Sequence, residues 1–262
     1  MKLKLFLIGL LIAVFALAGC SAPNGGPDTA PEDPVQQDPA PDVGRPAAPN
    51  DVDYEDVYRS VLDDFHALIE SGGDELLEIE GGTGVLEAIR YLDDGAPLDR
   101  VGYAIEDLSG DGIPELIIGA VMEQDGNTGT GSDIYAVYAC PDGTPQCAFE
   151  GWARNRFYSM EDGRFFNIGS AGAAYAIFGT YTLSPDGTAL VCQDYYFTYE
   201  KDENFNEIGF YHNTDGAWDP AVSEELDLSD DAFWALEEEL ESQVRPMTFT
   251  PFSVYQAGVQ GQ

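Results

Sequence analysis

"AYAIFGTYTL", residues 174–183, alternates in a way that a helix does not. Tyr175, Ile177, Tyr181 and Leu183 share one face of an extended chain, while Thr180 and Thr182 face the other. β-Branched and aromatic residues dominate, as they do in half-buried strands. The same composition recurs around it, in "VGYAIEDL", "PELIIGAVM", "DIYAVYAC", "CAFEGWARN", "RFFNIGS", "ALVCQDYYFTYE" and "EIGFYHN". Gly-bearing turns such as "CPDGTPQC", "MEDGRF" and "SPDGTA" separate several of them. Short alternating strands joined by tight turns predict an antiparallel meander with one covered face.

The cover comes from amphipathic helices. Tyr54, Val57, Tyr58, Val61, Leu62, Phe65, Leu68 and Ile69 recur at helical spacing between Asp53 and Glu70. Asp53 is placed to cap that helix and Gly72-Gly73 to end it. A shorter helix is expected over Val85 to Leu92. Another is expected over Asp230 to Ser242, capped by Ser229, burying Phe233, Leu236 and Leu240. The fold class is therefore α+β, a meander sheet covered by a few helices. No strict repeat marks the strands, which argues against a full β-propeller.

"DLSGDGIPELIIG", 107–119, carries the clearest chemistry. Asp107, Ser109 and Asp111 stand at alternate positions, Gly112 permits a sharp turn, Ile113 offers its backbone carbonyl, and Glu115 follows. Calcium takes six to eight hard oxygens from a loop wrapped around it, so this spacing suits a Ca2+ shell completed by water. An EF-hand would carry a bidentate Glu at the twelfth loop position, where this chain has Ile118. Pro114 and Leu116-Ile117-Ile118 send the chain into a strand. "YAIEDLSGDGIPELIIG" thus resembles the strand-loop-strand calcium motif of FG-GAP and VCBS proteins, in one copy where their propellers carry several. Ser109 and Glu115 depart from the commoner residues, and the likeness spans under a tenth of the chain. Turn formation by Asp and Ser without metal accounts for the same pattern. A second acidic stretch, Glu123 to Asp133, offers Asp125, Asn127 and Asp133 but reads as a Gly-rich loop.

The first 50 residues speak to location. Lys2 and Lys4 precede an apolar run, Leu5 to Leu17, too short to span a bilayer. Leu17-Ala18-Gly19-Cys20 resembles the bacterial lipobox. That resemblance implies removal of residues 1–19, acylation of Cys20, for instance with palmitate, and attachment to the membrane at the outer face of the cell envelope. Residues 20–50 hold eight of the chain's 16 prolines and no aromatic residue, a composition for a disordered tether. One globular domain, 51–257, remains. The whole pattern resembles uncharacterised bacterial surface lipoproteins.

Against 48 Asp+Glu stand 11 Lys+Arg, a formal net charge of −37. Nucleic acid is a poor partner for such a chain, because counterion release needs clustered cations. Export favours disulfides, and the turn-rich "PDGTPQ" between Cys140 and Cys147 suggests that these two are bonded, leaving Cys192 over.

Catalytic constellations are sparse. Ser170, in "IGSAG", lies outside a nucleophile elbow, and the only histidines are His66 and His212. In "WARNRFY", Trp152, Arg154, Arg156 and Tyr158 would fall on one strand face, a surface for a glycan or peptide, unless the arginines pair with carboxylates. The expectation is a non-enzymatic, lipid-anchored surface protein with one structural calcium loop and an extracellular ligand. A carboxylate-dependent, glycosidase-like hydrolase is the alternative. A transporter's solute-binding lipoprotein is a weaker third.

Overall fold

The computed structural model describes residues 52–73, 79–90, 96–172, 175–202 and 206–258. The expected export signal (1–19), the expected acylation site Cys20 and the expected tether (20–50) lie outside the described residues. No helix among those described is long and apolar enough to cross a membrane.

The chain opens with α1 (Tyr54–Val57) and α2 (Arg59–Glu70). Asp53 caps α1 as expected, its Oδ1 accepting from the N–H groups of Glu55 and Asp56 at 3.1 and 3.4 Å. The expected single helix bends at Tyr58, whose φ of −88° and ψ of 3° leave the helical well. α3 (Thr83–Arg90) and α4 (Pro97–Arg100) complete the N-terminal helices.

Among the described residues thirteen strands follow, all antiparallel in their pairing: β1 (Val101–Glu106), β2 (Glu115–Ala120), β3 (Glu123–Asp125), β4 (Thr128–Gly131), β5 (Asp133–Ala139), β6 (Gln146–Glu150), β7 (Asn155–Ser159), β8 (Phe165–Gly172), β9 (Tyr175–Leu183), β10 (Leu190–Glu200), β11 (Ile208–Asn213), β12 (Glu224–Leu226) and β13 (Met247–Pro251). α5 (Asp230–Glu241) lies between the last two. The order is β12-β11-β10-β9-β8-β7-β5-β2-β1-β13-β4-β3, with β6 pairing β5 beside β7. From β7 to β12 this is a plain meander. The class is compatible with α+β, but sheet dominates.

Four apolar clusters among the described residues assemble it, the smallest being Tyr195, Phe197 and Tyr211 on β10 and β11. Tyr58, Leu62, Phe65 and Ile69 recur every three or four residues, so one helical stripe meets Val101, Leu116, Ile118 and Tyr138 on one face of β1, β2 and β5. Each fully buried apolar side chain of this size contributes about 1.5–3 kcal/mol. The opposite face of those strands carries Ile117, Val137 and, from β13, Phe249, which pack with Phe157, Phe165 and Leu183 of the second half-meander. The sheet is folded over on itself.

Phe233 of α5 enters the remaining face between Phe178 and Phe210, with ring centroids at 5.1 and 4.4 Å. Both faces of β9 are therefore covered, where the sequence suggested one. Thr180, on the face expected to meet solvent, is buried and donates to Asp194 Oδ2 at 3.3 Å.

Candidate metal centre

The hairpin from β1 to β2 brings Glu106 opposite Glu115, and residues 107–114 form its loop. Gly110 and Gly112 adopt φ of 73° and 86°, a conformation that costs other residues energy, so the tight return needs glycine at both places. The loop then ties itself. Gly112 N–H donates to Asp107 Oδ2 at 2.9 Å, and Ile113 N–H to Asp111 Oδ1 at 2.6 Å. Asp111 N–H donates to Ser109 Oγ at 3.2 Å, and that hydroxyl reaches Asp107 Oδ1 at 3.5 Å. Behind the loop, buried Tyr58 at the α1–α2 junction donates its hydroxyl hydrogen toward Pro114 O (2.9 Å) and Tyr138 O (3.2 Å), fastening that junction to the end of the loop and to β5.

Glu115 is the buried member, with 1% of its surface exposed. Its Oε2 accepts from the N–H groups of Leu108 (2.7 Å) and Ser109 (3.2 Å). Burial, and in lesser measure the nearby Asp111 carboxylate, raises its pKa above the ordinary 4.5, against those donors, which lower it. Carboxylate oxygens of Asp107, Asp111 and Glu115 all lie within 4.8 Å of one another. Exposure falls from Asp107 through Asp111 to Glu115, so the cluster runs from solvent into the protein. Three carboxylates converging at that distance repel, and a hard cation would relieve both the repulsion and the burial of Glu115.

Of the five residues proposed from sequence, the structure joins Asp107, Asp111 and Glu115. The Ser109 hydroxyl is engaged inside the loop, and Ile113 contributes a backbone N–H to it. Two further contacts had no signal in the sequence. The carbonyl of Leu108 lies against Gly163 in the β7–β8 turn, and Glu115 Oε1 lies against Gly187 in the β9–β10 turn. The other acidic stretch is not a loop. Glu123–Asp125 and Thr128–Gly131 form a hairpin, Asp125 sits on its edge strand, and Asp133 is taken by Arg156.

The Trp-Arg face is corrected. Trp152 and Asn155 exchange backbone hydrogen bonds at 3.0 and 2.8 Å, closing a four-residue turn that removes Trp152 and Arg154 from β7. Arg156 and Tyr158 do share a face of β7. There Arg156 pairs with Asp133 at 2.7 Å and lies 5.0 Å from the Tyr158 ring centroid, the carboxylate pairing weighed against a ligand face.

Cys140 and Cys147 are free thiols, as is Cys192. The ladder places Cys147 opposite Tyr138, two residues short of Cys140, so the pair is diagonal rather than facing. Ser170 and His212 are apart as well: they sit on β8 and β11, three strand spacings or roughly 14 Å across the sheet. Ser170 Oγ donates to Gly172 O, and His212 Nε2 meets Asp194 at 3.1 Å. No family model, curated protein or solved structure matches this chain.

Proposed function

We propose that the protein is a non-enzymatic, lipid-anchored protein of the outer bacterial cell surface. Its globular body is stabilised by one calcium ion in the 107–115 loop and presents a binding face to an extracellular ligand. The observation that carries the metal reading is the convergence of Asp107, Asp111 and Glu115 oxygens within 4.8 Å. Oxygens on opposite sides of a calcium ion stand about 5 Å apart, whereas magnesium would draw them to about 4 Å and demand a stiffer octahedron. Each of Asp111 and Glu115 commits one oxygen to holding the loop and leaves the other for an ion. The FG-GAP/VCBS-like pattern, an aspartate-rich loop entering a strand, supports the same reading.

The lipid anchor rests on Leu17-Ala18-Gly19-Cys20, and the acidic surface suits an exported protein that meets divalent cations. Isothermal titration of calcium and then magnesium into chelator-treated protein tests the metal reading. One calcium per chain, at a dissociation constant of about 10⁻⁴–10⁻³ M or tighter, supports it. No calcium heat, or magnesium binding equally well, overturns it. Intact mass of membrane-extracted protein tests the anchor separately, through loss of residues 1–19 and acyl mass on Cys20.

A further inference from the structure

We infer that the cleft between the 152–155 turn and the sheet face of β8–β10 binds an acidic saccharide, its carboxylate taken by Arg154 and a sugar ring laid on Trp152. The inference rests on the reading of the protein as an extracellular binding module and not on the calcium loop. The cleft holds about 420 Å³, in the range of small-ligand sites and ample for one or two sugar rings. Among its lining residues are Trp152, Arg154, Asn155, Asn167, Tyr181 and Tyr195, and no Asp or Glu. The chain around it carries a net charge of −37. The neighbouring cleft under α3, also edged by Trp152, carries Glu87 and Asp133, and its arginine is already paired.

Arg154 differs from Arg156 in this respect. No carboxylate pairs with it among the described residues, so its guanidinium fork is available for a ligand carboxylate. Trp152 is 40% exposed beside it and offers an apolar ring face. The floor supplies the polar selector. Asn167 is 3% exposed, and its Nδ2 is spent on Asn155 Oδ1 (2.9 Å) and Arg156 O (3.0 Å). Its Oδ1 receives no donor among the described residues, on a side chain that lines the cleft. That oxygen is open to the cleft rather than sealed in the interior, so a sugar hydroxyl can donate to it. Cation, ring face and acceptor together match a pyranose that carries both hydroxyls and a carboxylate.

The test is titration calorimetry of the full-length protein in detergent with calcium present, using digalacturonate, sialyllactose and a hyaluronan tetrasaccharide, with lactose as the neutral control. At least one acidic sugar should bind at one per chain, with lactose about tenfold weaker or worse. Arg154→Gln should erase the preference for the acid, and Trp152→Ala should weaken acidic and neutral sugars alike by about tenfold. Both positions are exposed, and an unchanged thermal melt verifies that the variants fold. Absence of binding by all three acids, lactose binding as tightly as they do, or an acid preference that survives Arg154→Gln overturns the inference. Repeating the titration with Asp111→Ala separates the two sites: sugar binding that persists there leaves the cleft standing even if the metal reading fails.

Discussion

Gly187, in the turn between β9 and β10, lies directly over the buried carboxylate of Glu115 on β2. A Cβ at Gly187 would collide with Oε1. Glu115 is the innermost acid of the 107–115 loop, and the turn belongs to the second half of the folded-over sheet. Gly163, from the preceding turn of that half, presses on the Leu108 carbonyl. The loop is therefore clamped between the two halves of the sheet. A cation held there would brace a packing interface as well as a hairpin.

Gly187→Ala should accordingly cost more than an ordinary glycine substitution at positive φ. Gly143 has φ of 75° with nothing within 4 Å of an added Cβ, so Gly143→Ala should lose only about 1 kcal/mol to backbone strain. Gly187, at φ 72°, adds the clash with Glu115 and a tight approach to Ala139, for about 2–4 kcal/mol in all. Urea unfolding of both variants measures the difference. Equal losses would mean that the turn does not bear on Glu115.

The thiols should be inert in the folded protein. Burial pushes Cys147 up to about 12 and Cys192 up to about 11, from an ordinary 9.0. At pH 8 the thiolate fraction of Cys147 then falls about 1000-fold, and alkylation by iodoacetamide should slow accordingly. Because the fold favours the protonated thiol, this contribution to stability is complete below pH 9 and is lost as pH rises from 9 toward 12. Mass-resolved labelling of native and urea-unfolded protein checks both points. A dithiothreitol-sensitive melt, or a Cys140–Cys147 peptide, would contradict the free thiols.

Helix α5 supports the outer face of β8–β11 chiefly through the buried ring of Phe233, with Leu236 and Leu240 partly buried beside it. Phe233→Ala removes the side chain wedged between Phe178 and Phe210 and should cost about 3–5 kcal/mol. Ser229→Ala removes only the cap on Ala232 N–H and should cost about 1 kcal/mol, or about 2–4 °C in Tm. Calorimetric melts should rank the two in that order. The reverse order would place the helix's contribution in its end rather than its face.

Local signals were the legible ones. Alternation at Tyr175, Ile177, Tyr181 and Leu183, the caps Asp53 and Ser229, and the spacing of Asp107, Asp111 and Glu115 each act within a few residues, so sequence exposes them. What was hidden depends on partners far along the chain. "MTFTP" forms β13 because it pairs with β1 and β4, well over a hundred residues upstream, and nothing local announces that. The period-two reading of "WARNRFY" failed because the Trp152–Asn155 turn overrides alternation before β7 starts. The cysteine pairing failed on register, which a bulge beside Tyr138 helps to set. Gly187 and Gly163 read as ordinary turn glycines until the sheet folds over and brings them to the loop.

The most direct test of the account is a thermal melt of the protein and of Asp111→Ala, each with millimolar calcium and with chelator. At free calcium ~100 times the dissociation constant, binding to the native state adds about 2.7 kcal/mol. The wild-type protein should therefore melt several degrees higher with calcium, while Asp111→Ala should fold but melt at the same temperature in both conditions. A wild-type melt indifferent to calcium across the millimolar range would contradict the account, and the 107–115 loop would then be only a turn held by its own aspartates.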